Sequence, residues 1–297
     1  MTAETAPITL AICSNRPALL ARAVPALVTI ARPDDEVIVA LDERLSAIDP
    51  ADFPPRVRVL ANDANRGLSF TRNRVLKECN TRFVLFLDDD IVATSEAVES
   101  ARAALSHGLD VVGARITAGL PDHYRPWYFT AGQLHYVGCH NPALPASIWG
   151  GFLGVDVDHA RLLGVDFDER LGRTAGTLGS AEDTTFVRAL KAKGGRHAVL
   201  RDVEVRHIIH ADRLALTYLL RRAFWQGRSE FRRRDICDGL RKEWHRNWLS
   251  DCLIPQRITL AALFGSTVTA GVAWEAVAHY PLLAARAWRA VARWHSV

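Results

Sequence analysis

Phe83, Val84, Leu85, Phe86 and Leu87 form an unbroken apolar run that stops at Asp88, Asp89 and Asp90. Five consecutive apolar residues cannot alternate between a wet face and a dry one. The run therefore reads as a strand covered on both sides, as in the middle of an open α/β sheet. The chain before it follows the same plan. Residues 8–13 read as a first strand with a helix over 17–30 behind it, 36–41 as a second strand, and 57–60 as a third followed by a helix from about 69 to 78. Such alternation is the mark of successive β-α units around a mainly parallel sheet.

Open parallel sheets bind ligands beyond the carboxyl ends of their strands. Those ends carry Ser14-Asn15-Arg16, Asp42-Glu43, Asn62-Asp63 and the aspartate triplet, so polar groups from four stretches converge on one edge. A nucleotide site is expected there. No G-x-G-x-x-G follows the first strand and no G-x-x-x-x-G-K-[ST] occurs, which disfavours a dinucleotide dehydrogenase or a P-loop NTPase.

The second half opens with a further strand at 111–116, then an irregular stretch at 118–147 rich in Gly, Pro, His and aromatics, expected near an acceptor. Beyond His207 the pattern turns helical, most clearly over 214–222. The run 221–234 mixes Arg221, Arg222, Arg228, Arg232, Arg233 and Arg234 with Phe224, Trp225 and Phe231. It reads either as a solvated helix face or as a contact with donor phosphates or an anionic membrane surface. The best later apolar stretch, 258–274, is broken by Thr and Ser, is short for a bilayer span and is followed by Glu275, which favours a packed hairpin or an interfacial helix.

A net charge of +4 on 297 residues suits an anionic substrate without singling out nucleic acid. The 5 cysteines, Cys13, Cys79, Cys139, Cys237 and Cys252, are scattered and lack C-x-x-C spacing, so neither a disulfide framework nor a zinc knuckle is expected. Residues 1–7 show no secretory pattern. The expected location is cytoplasmic, with peripheral contact at the inner face of the membrane through the C-terminal helices.

Three constellations bear chemistry. Crowded carboxylates at Asp88-Asp89-Asp90 repel one another, a cost offset by a divalent cation; the alternative is a solvated turn in which one Asp caps a helix. Glu182-Asp183 precedes a helical stretch at 184–193 and follows a small-residue loop at 172–179. The pair reads as a general base, or as acids favoured by a helix dipole. His207 and His210 offer imidazole to a metal, with only one of the two expected on it; surface histidines are the other reading. Arg72, about one turn into its helix, reads as a phosphate or base contact or as an exposed helix arginine.

The order of these motifs resembles glycosyltransferase family 2, whose members have the GT-A fold. The matching stretches include VDFDERLG, then a glycine-rich gap, AEDTTFVRALKAKGG and VEVRH, and together they cover most of residues 8–230. The resemblance implies an α/β fold with a Rossmann-like mixed sheet. It implies a catalytic domain over 1–212, with a nucleotide-binding half at 1–117 and an acceptor-binding half at 118–212, and a helical extension over 213–297. Ser14, Asn15, Arg16 and Asp42 would hold the nucleobase, Arg72 would contact the nucleotide, and Asp88 would face the ribose or metal beside Asp89. Asp90 and His207 would hold Mn²⁺ or Mg²⁺, Asp183 would be the base, and Glu182 and Trp149 would orient the loop or the acceptor. Cys13-Ser14-Asn15-Arg16 lacks the aromatic residue usual after the first strand, and Ala181 stands where Gly or Thr commonly precedes the acids.

The implied reaction is inverting transfer from a UDP-sugar, or a GDP- or dTDP-sugar, to a glycan, a lipid-linked sugar or a small natural product. A nucleotidyltransferase is the enzymatic rival, but it needs a glycine-rich basic loop that Ser14-Asn15-Arg16-Pro17 does not supply. A non-catalytic carbohydrate-binding protein with a degenerate fold is the other.

Overall fold

The computed structural model describes residues 6–43, 48–122, 126, 129 and 131–236. Its elements run β1 (Ile8–Ser14), α1 (Pro17–Ile30), β2 (Glu36–Leu41), β3 (Val57–Ala61), α2 (Leu68–Glu78), β4 (Phe83–Leu87), β5 (Ile91–Val92) and α3 (Ser95–Ser106). Then follow β6 (Val111–Gly119), β7 (Phe152–Asp156), α4 (Val157–Leu162), α5 (Glu182–Ala192), β8 (His197–Ile208) and α6 (Leu216–Ile236). Among the described residues the strands form one sheet in the order β3-β2-β1-β4-β7-β6-β8-β5.

The unbroken run in β4 is buried throughout, and its period of two divides it between two cores. Phe83, Leu85 and Leu87 pack with Leu20 and Val24 of α1 and Val98 and Leu105 of α3. Val84 and Phe86 face the other way, onto Val75 of α2, Ala160 of α4 and Phe186 of α5. Truncating Leu85, which is fully buried, to Ala removes side-chain volume from the sheet centre and costs about 2–5 kcal/mol.

The sheet is mixed rather than parallel throughout, because β7 lies antiparallel to both β4 and β6. This strand is hidden in the sequence: Phe152-Leu153-Gly154-Val155-Asp156 contains a glycine and ends in an acid, and both its neighbours come from distant parts of the chain. The VEVRH stretch lies within a 12-residue β8. The irregular stretch at 118–147 contains a 3-10 segment, Ala131–Val137.

One pairing positions the site. β5 follows the triplet immediately and pairs with β8, setting Ile91 opposite His207. The Ile208 N–H donates to the Asp90 carbonyl at 2.8 Å, so the end of β8 is fixed beside the triplet.

Past β8, Leu219 and Ala223 of α6 are buried in the same core cluster as the central strands. No described helix is long and apolar enough to cross a membrane. The stretch 258–274, with Cys237 and Cys252, lies outside the described residues, as do Phe231 and Arg234 side chains. Cys13, Cys79 and Cys139 are free.

Candidate active site

A cavity of about 410 Å³ opens at the carboxyl edge of the sheet, lined by all three aspartates of the triplet, by Glu182 and Asp183, and by His207. The three aspartates are deployed differently. Asp88 is the exposed one, its side chain 39% accessible, and it faces Arg72 Nη2 at 3.4 Å. Asp89 is buried, and its oxygens accept from the Ser14 hydroxyl, from Arg16 Nε at 3.0 Å and from Arg16 Nη2. It supports the 14–16 segment from behind. Burial, with Asp90 and Asp88 adding, pushes its carboxyl above the usual range despite Arg16.

Asp90 is ringed by three side-chain nitrogens. His207 Nε2 lies 3.0 Å from its Oδ1, and Arg213 Nη2 and Arg16 Nη2 reach its Oδ2 at 2.9 and 3.1 Å. Burial works against ionisation, but the His207 hydrogen bond and the charges of His207, Arg213 and Arg16 outweigh it and hold Asp90 well below the carboxylate range.

Asp90 and His207 fit a divalent cation in two respects. Carboxylate oxygen and imidazole nitrogen suit Mn²⁺, and their 3.0 Å separation is what adjacent ligands of an octahedral ion show when each bond is about 2.1 Å. No three His, Cys, Asp or Glu side chains converge on a metal position among the described residues, so the remaining ligands would have to be diphosphate oxygens and water. Arg213 also reaches His207 Nε2, at 3.2 Å, so its guanidinium bridges the same two residues, with Asp90 Oδ2 as its other contact. His210 instead precedes the 3-10 segment Ala211–Leu214 and lines a separate pocket behind the triplet.

The acid pair sits at the start of α5 after a left-handed residue, Ala181, with φ 75°. For a non-glycine residue that conformation costs about 1–2 kcal/mol. The two acids after it go to different places. Glu182 turns inward, buried, with Oε1 on Arg72 Nη1 at 3.0 Å and Oε2 without a hydrogen-bond partner. Burial and the neighbouring Asp183 push its carboxyl above the glutamate range, against Arg72. Asp183 is half-buried on the cavity wall; its Oδ2 accepts from the Gly150 N–H at 2.7 Å, and its Oδ1 from the Thr184 N–H at 2.6 Å.

Arg72 is not an exposed helix arginine: it is 2% accessible. Its guanidinium carbon lies 5.9 and 5.5 Å from the Phe86 and Phe167 rings, and Nη2 donates to the Gly150 carbonyl at 3.3 Å. A Cβ on Gly150 would stand 2.5 Å from Nη2, so a side chain here would force the guanidinium to move. The loop before the acids closes in the same manner, because a Cβ on Gly179 would collide with the Gly172 carbonyl oxygen.

Asn15 is exposed at the cavity mouth, and Arg16 is partly exposed beside it. Asp42 lines the cavity as well, yet its carboxylate accepts from the Gly67 N–H at 2.8 Å, the Arg66 N–H at 3.1 Å and the Thr71 hydroxyl at 3.0 Å. It therefore also anchors the turn into α2. Trp149 lines the cavity with its ring stacked 4.0 Å from that of His140.

Residues 10–145 match the family model described as Glycosyl transferase family 2. The match covers just under half of the chain. The fold, GT-A, is shared with GalNAc-T7, solved with UDP, GalNAc and Mn²⁺, at 14% identity and a TM-score of 0.56 over 89% of this chain and 53% of that one. TarS of S. aureus aligns at 18% identity and a TM-score of 0.49 over 68% of this chain and 37% of that one. The chain thus spans about half the length of GalNAc-T7 or less of these solved proteins. No curated protein matches it in sequence.

The family 2 match contains Ser14, Arg16, Asp42, Arg72 and the triplet but stops short of Asp183 and His207, which the sheet brings to the same cavity. Sequence reasoning missed Arg213, Gly150 and His140. Nothing in the spacing around Arg213 marks it, since its role depends on the turn after β8. His140 Nδ1 accepts from the Ile116 N–H at 2.9 Å while its Nε2 donates to the Ser147 carbonyl at 2.9 Å, and burial pushes its imidazole below the usual histidine range.

Proposed function

We propose that this family 2 glycosyltransferase moves a sugar from a nucleotide diphosphate donor to an acceptor hydroxyl with inversion. The observation that carries the reading is the convergence on one cavity of Asp90, His207 and Asp183, which come from three separate segments of the chain. The reaction is a single in-line displacement through an oxocarbenium-like transition state. Asp183, held by the Gly150 and Thr184 N–H groups, takes the proton of the attacking hydroxyl as the bond from the anomeric carbon to the diphosphate breaks. An α-linked donor then gives a β-linked product.

Asp90 and His207 would hold Mn²⁺ or Mg²⁺, which when bound supplies charge stabilisation for the departing diphosphate. Arg16 and Arg213 add fixed positive charge at the same end of the cavity. Ser14, Asn15, Arg16 and Asp42 would receive the nucleoside, with UDP the first donor to test and GDP and dTDP next. A glycan, a lipid-linked sugar or a small natural product would enter beside Asp183, Glu182 and Trp149. The C-terminal region would supply peripheral membrane contact, with 1–212 as the catalytic domain.

The test is hydrolysis of UDP-, GDP- and dTDP-sugars by the full chain with and without Mn²⁺ or Mg²⁺, paired with calorimetry of the nucleotides. Asp183→Asn should lose turnover by about 10²- to 10⁴-fold while keeping metal-dependent nucleotide binding. Asp90→Ala should lose that metal dependence. Wild-type turnover in a folded Asp183→Asn protein would move the base elsewhere, and unchanged metal-dependent affinity in Asp90→Ala would remove Asp90 from the metal.

A further inference from the structure

The cavity holds five arginines, and three of them are matched by carboxylates. Arg16 pairs with Asp89 and Asp90, Arg72 with Asp88 and Glu182, and Arg213 with Asp90. Arg173 and Arg222 also line the cavity but form no ion pair among the described residues. Arg222 is 9% accessible, donates from Nη1 to the Leu178 carbonyl at 2.7 Å, and leaves Nε buried without a partner. One turn along α6, the buried Gln226 Oε1 on the cavity wall also lacks a partner.

A buried guanidinium with an unmade hydrogen bond and a second arginine as neighbour is costly unless an anion completes it. Burial, and then the charge of Arg173, lower Arg222 to about 10, while Tyr218, Glu182 and Asp183 act the other way. The carboxylates of Glu182 and Asp183 are near enough to act at a distance, but neither comes within ion-pair reach. The two arginines belong to the acid-pair side of the cavity. Arg222 holds the 172–179 loop through Leu178, the Ser229 hydroxyl accepts from the Ser180 N–H at 3.0 Å, and that loop leads directly into Asp183. The diphosphate's own cations, Arg16 and Arg213, lie at the triplet.

We infer that the acceptor carries an oxyanion, a phosphate or a carboxylate, which Arg173 and Arg222 receive beside Asp183. This rests on the assignment of Asp183 as base. The planar guanidinium fork accepts either group through paired N–H donors, and two such forks fix the orientation of the molecule that delivers the hydroxyl. Gln226 offers an amide to the same group once its side chain is turned.

The test uses the full chain with Mg²⁺ and a saturating amount of whichever of UDP, GDP or dTDP binds, so that the donor end is filled. Inorganic phosphate and acetate are then titrated separately by calorimetry, and the tighter of the two identifies the oxyanion. The tighter probe should bind wild type and bind Arg222→Met and Arg173→Met at least about tenfold more weakly, the loss expected for a charge-assisted hydrogen bond. Arg222→Lys, which keeps the charge but not the fork, should fall between, and nucleotide affinity should change less than about twofold in all three variants. Equal affinity in wild type and both Met variants would overturn the inference. So would a parallel loss of nucleotide affinity, which would give these arginines to the donor. If melting curves show that Arg222→Met does not fold, Arg173→Met decides by the same measurement. Nucleotide-sugar hydrolysis on the same preparations separates the two levels. Hydrolysis without an anion site sinks only the acceptor inference, whereas loss of hydrolysis with every donor sinks the transferase reading.

Discussion

Two buried arginines serve the two edges of the sheet. At the edge where β1 and β2 begin, Arg102 meets Asp35 through two donors, Nη1 to Oδ1 at 2.6 Å and Nη2 to Oδ2 at 2.7 Å. Asp35 also accepts from the Ile8 N–H at 3.0 Å and the Arg32 N–H at 2.8 Å, so each of its oxygens carries two bonds. At the carboxyl edge Arg72 reaches Glu182 through one donor at 3.0 Å, and Glu182 Oε2 has no partner. The first carboxyl is held below its usual range, because Arg102 and two backbone N–H groups outweigh burial; the second is pushed above it, because burial and Asp183 outweigh Arg72. The Arg102–Asp35 pair ties α3 to the first strand through a carboxylate with no oxygen left to offer, although Arg102 Nε makes no hydrogen bond. A half-bonded pair beside a cavity keeps unused hydrogen-bonding capacity where ligands bind.

The largest expected effect breaks the complete pair. Asp35→Ala leaves the Arg102 guanidinium buried and opens two backbone donors, which should cost about 3–5 kcal/mol in urea or guanidinium unfolding. Nucleotide affinity in the folded fraction should not change, since Asp35 lies at the opposite edge from the cavity. A loss below about 1 kcal/mol would mean that water replaces the carboxylate there and that the pair is not a clamp.

Gly150→Ala comes next and perturbs the incomplete pair without removing a charge. The new Cβ would stand 2.5 Å from Arg72 Nη2, so the guanidinium must move off the Gly150 carbonyl and away from Glu182. Overpacking of this kind costs about 1–3 kcal/mol. Because the Gly150 N–H also holds Asp183, hydrolysis of the donor should fall more than stability does, which parallel turnover and unfolding measurements would show. A variant equally stable and equally active would detach Arg72 from the site.

The contrast between the two edges also marks where the sequence could be read. β1, β2, β4 and the triplet are apolar runs closed by polar residues, and their ends alone place the cavity. The places of Asp183 and His207 on the cavity wall follow from local patterns, an acid before a helix and a histidine at a strand end. β7 was not legible, since its glycine is tolerated only between β4 and β6, neighbours about 70 and 40 residues upstream. Arg72 was ambiguous for the same reason: a charge on a helix is buried or exposed according to its partner, and Glu182 is 110 residues away. Asp89 and Asp42 read as ligand contacts from position, yet backbone and side-chain donors that no spacing reveals engage their carboxylates.

The smallest stability effect is expected for Glu182→Gln, and its pH dependence sharpens the comparison most. A raised carboxyl means that the folded protein binds this proton more tightly than the unfolded chain. Between the ordinary glutamate value and the raised one, ionised Glu182 therefore subtracts stability as pH rises. Asp35 has the opposite sign: its lowered carboxyl adds stability that is fully present above the ordinary aspartate value and is lost as pH falls through the depressed one. Arg72, Asp183 and Arg173 set the field at Glu182 and remain in the variant. The amide keeps the shape and can still accept from Arg72 Nη1, so stability at neutral pH should stay within about 1 kcal/mol of wild type. The fall in stability as pH rises above the ordinary glutamate value should flatten, as urea unfolding across a pH series would record. Donor hydrolysis should drop less than in Asp183→Asn if Asp183 is the base, because Glu182 is turned away onto Arg72. A Glu182→Gln protein that loses as much stability as Asp35→Ala would make this pair a second clamp and erase the distinction between the two edges.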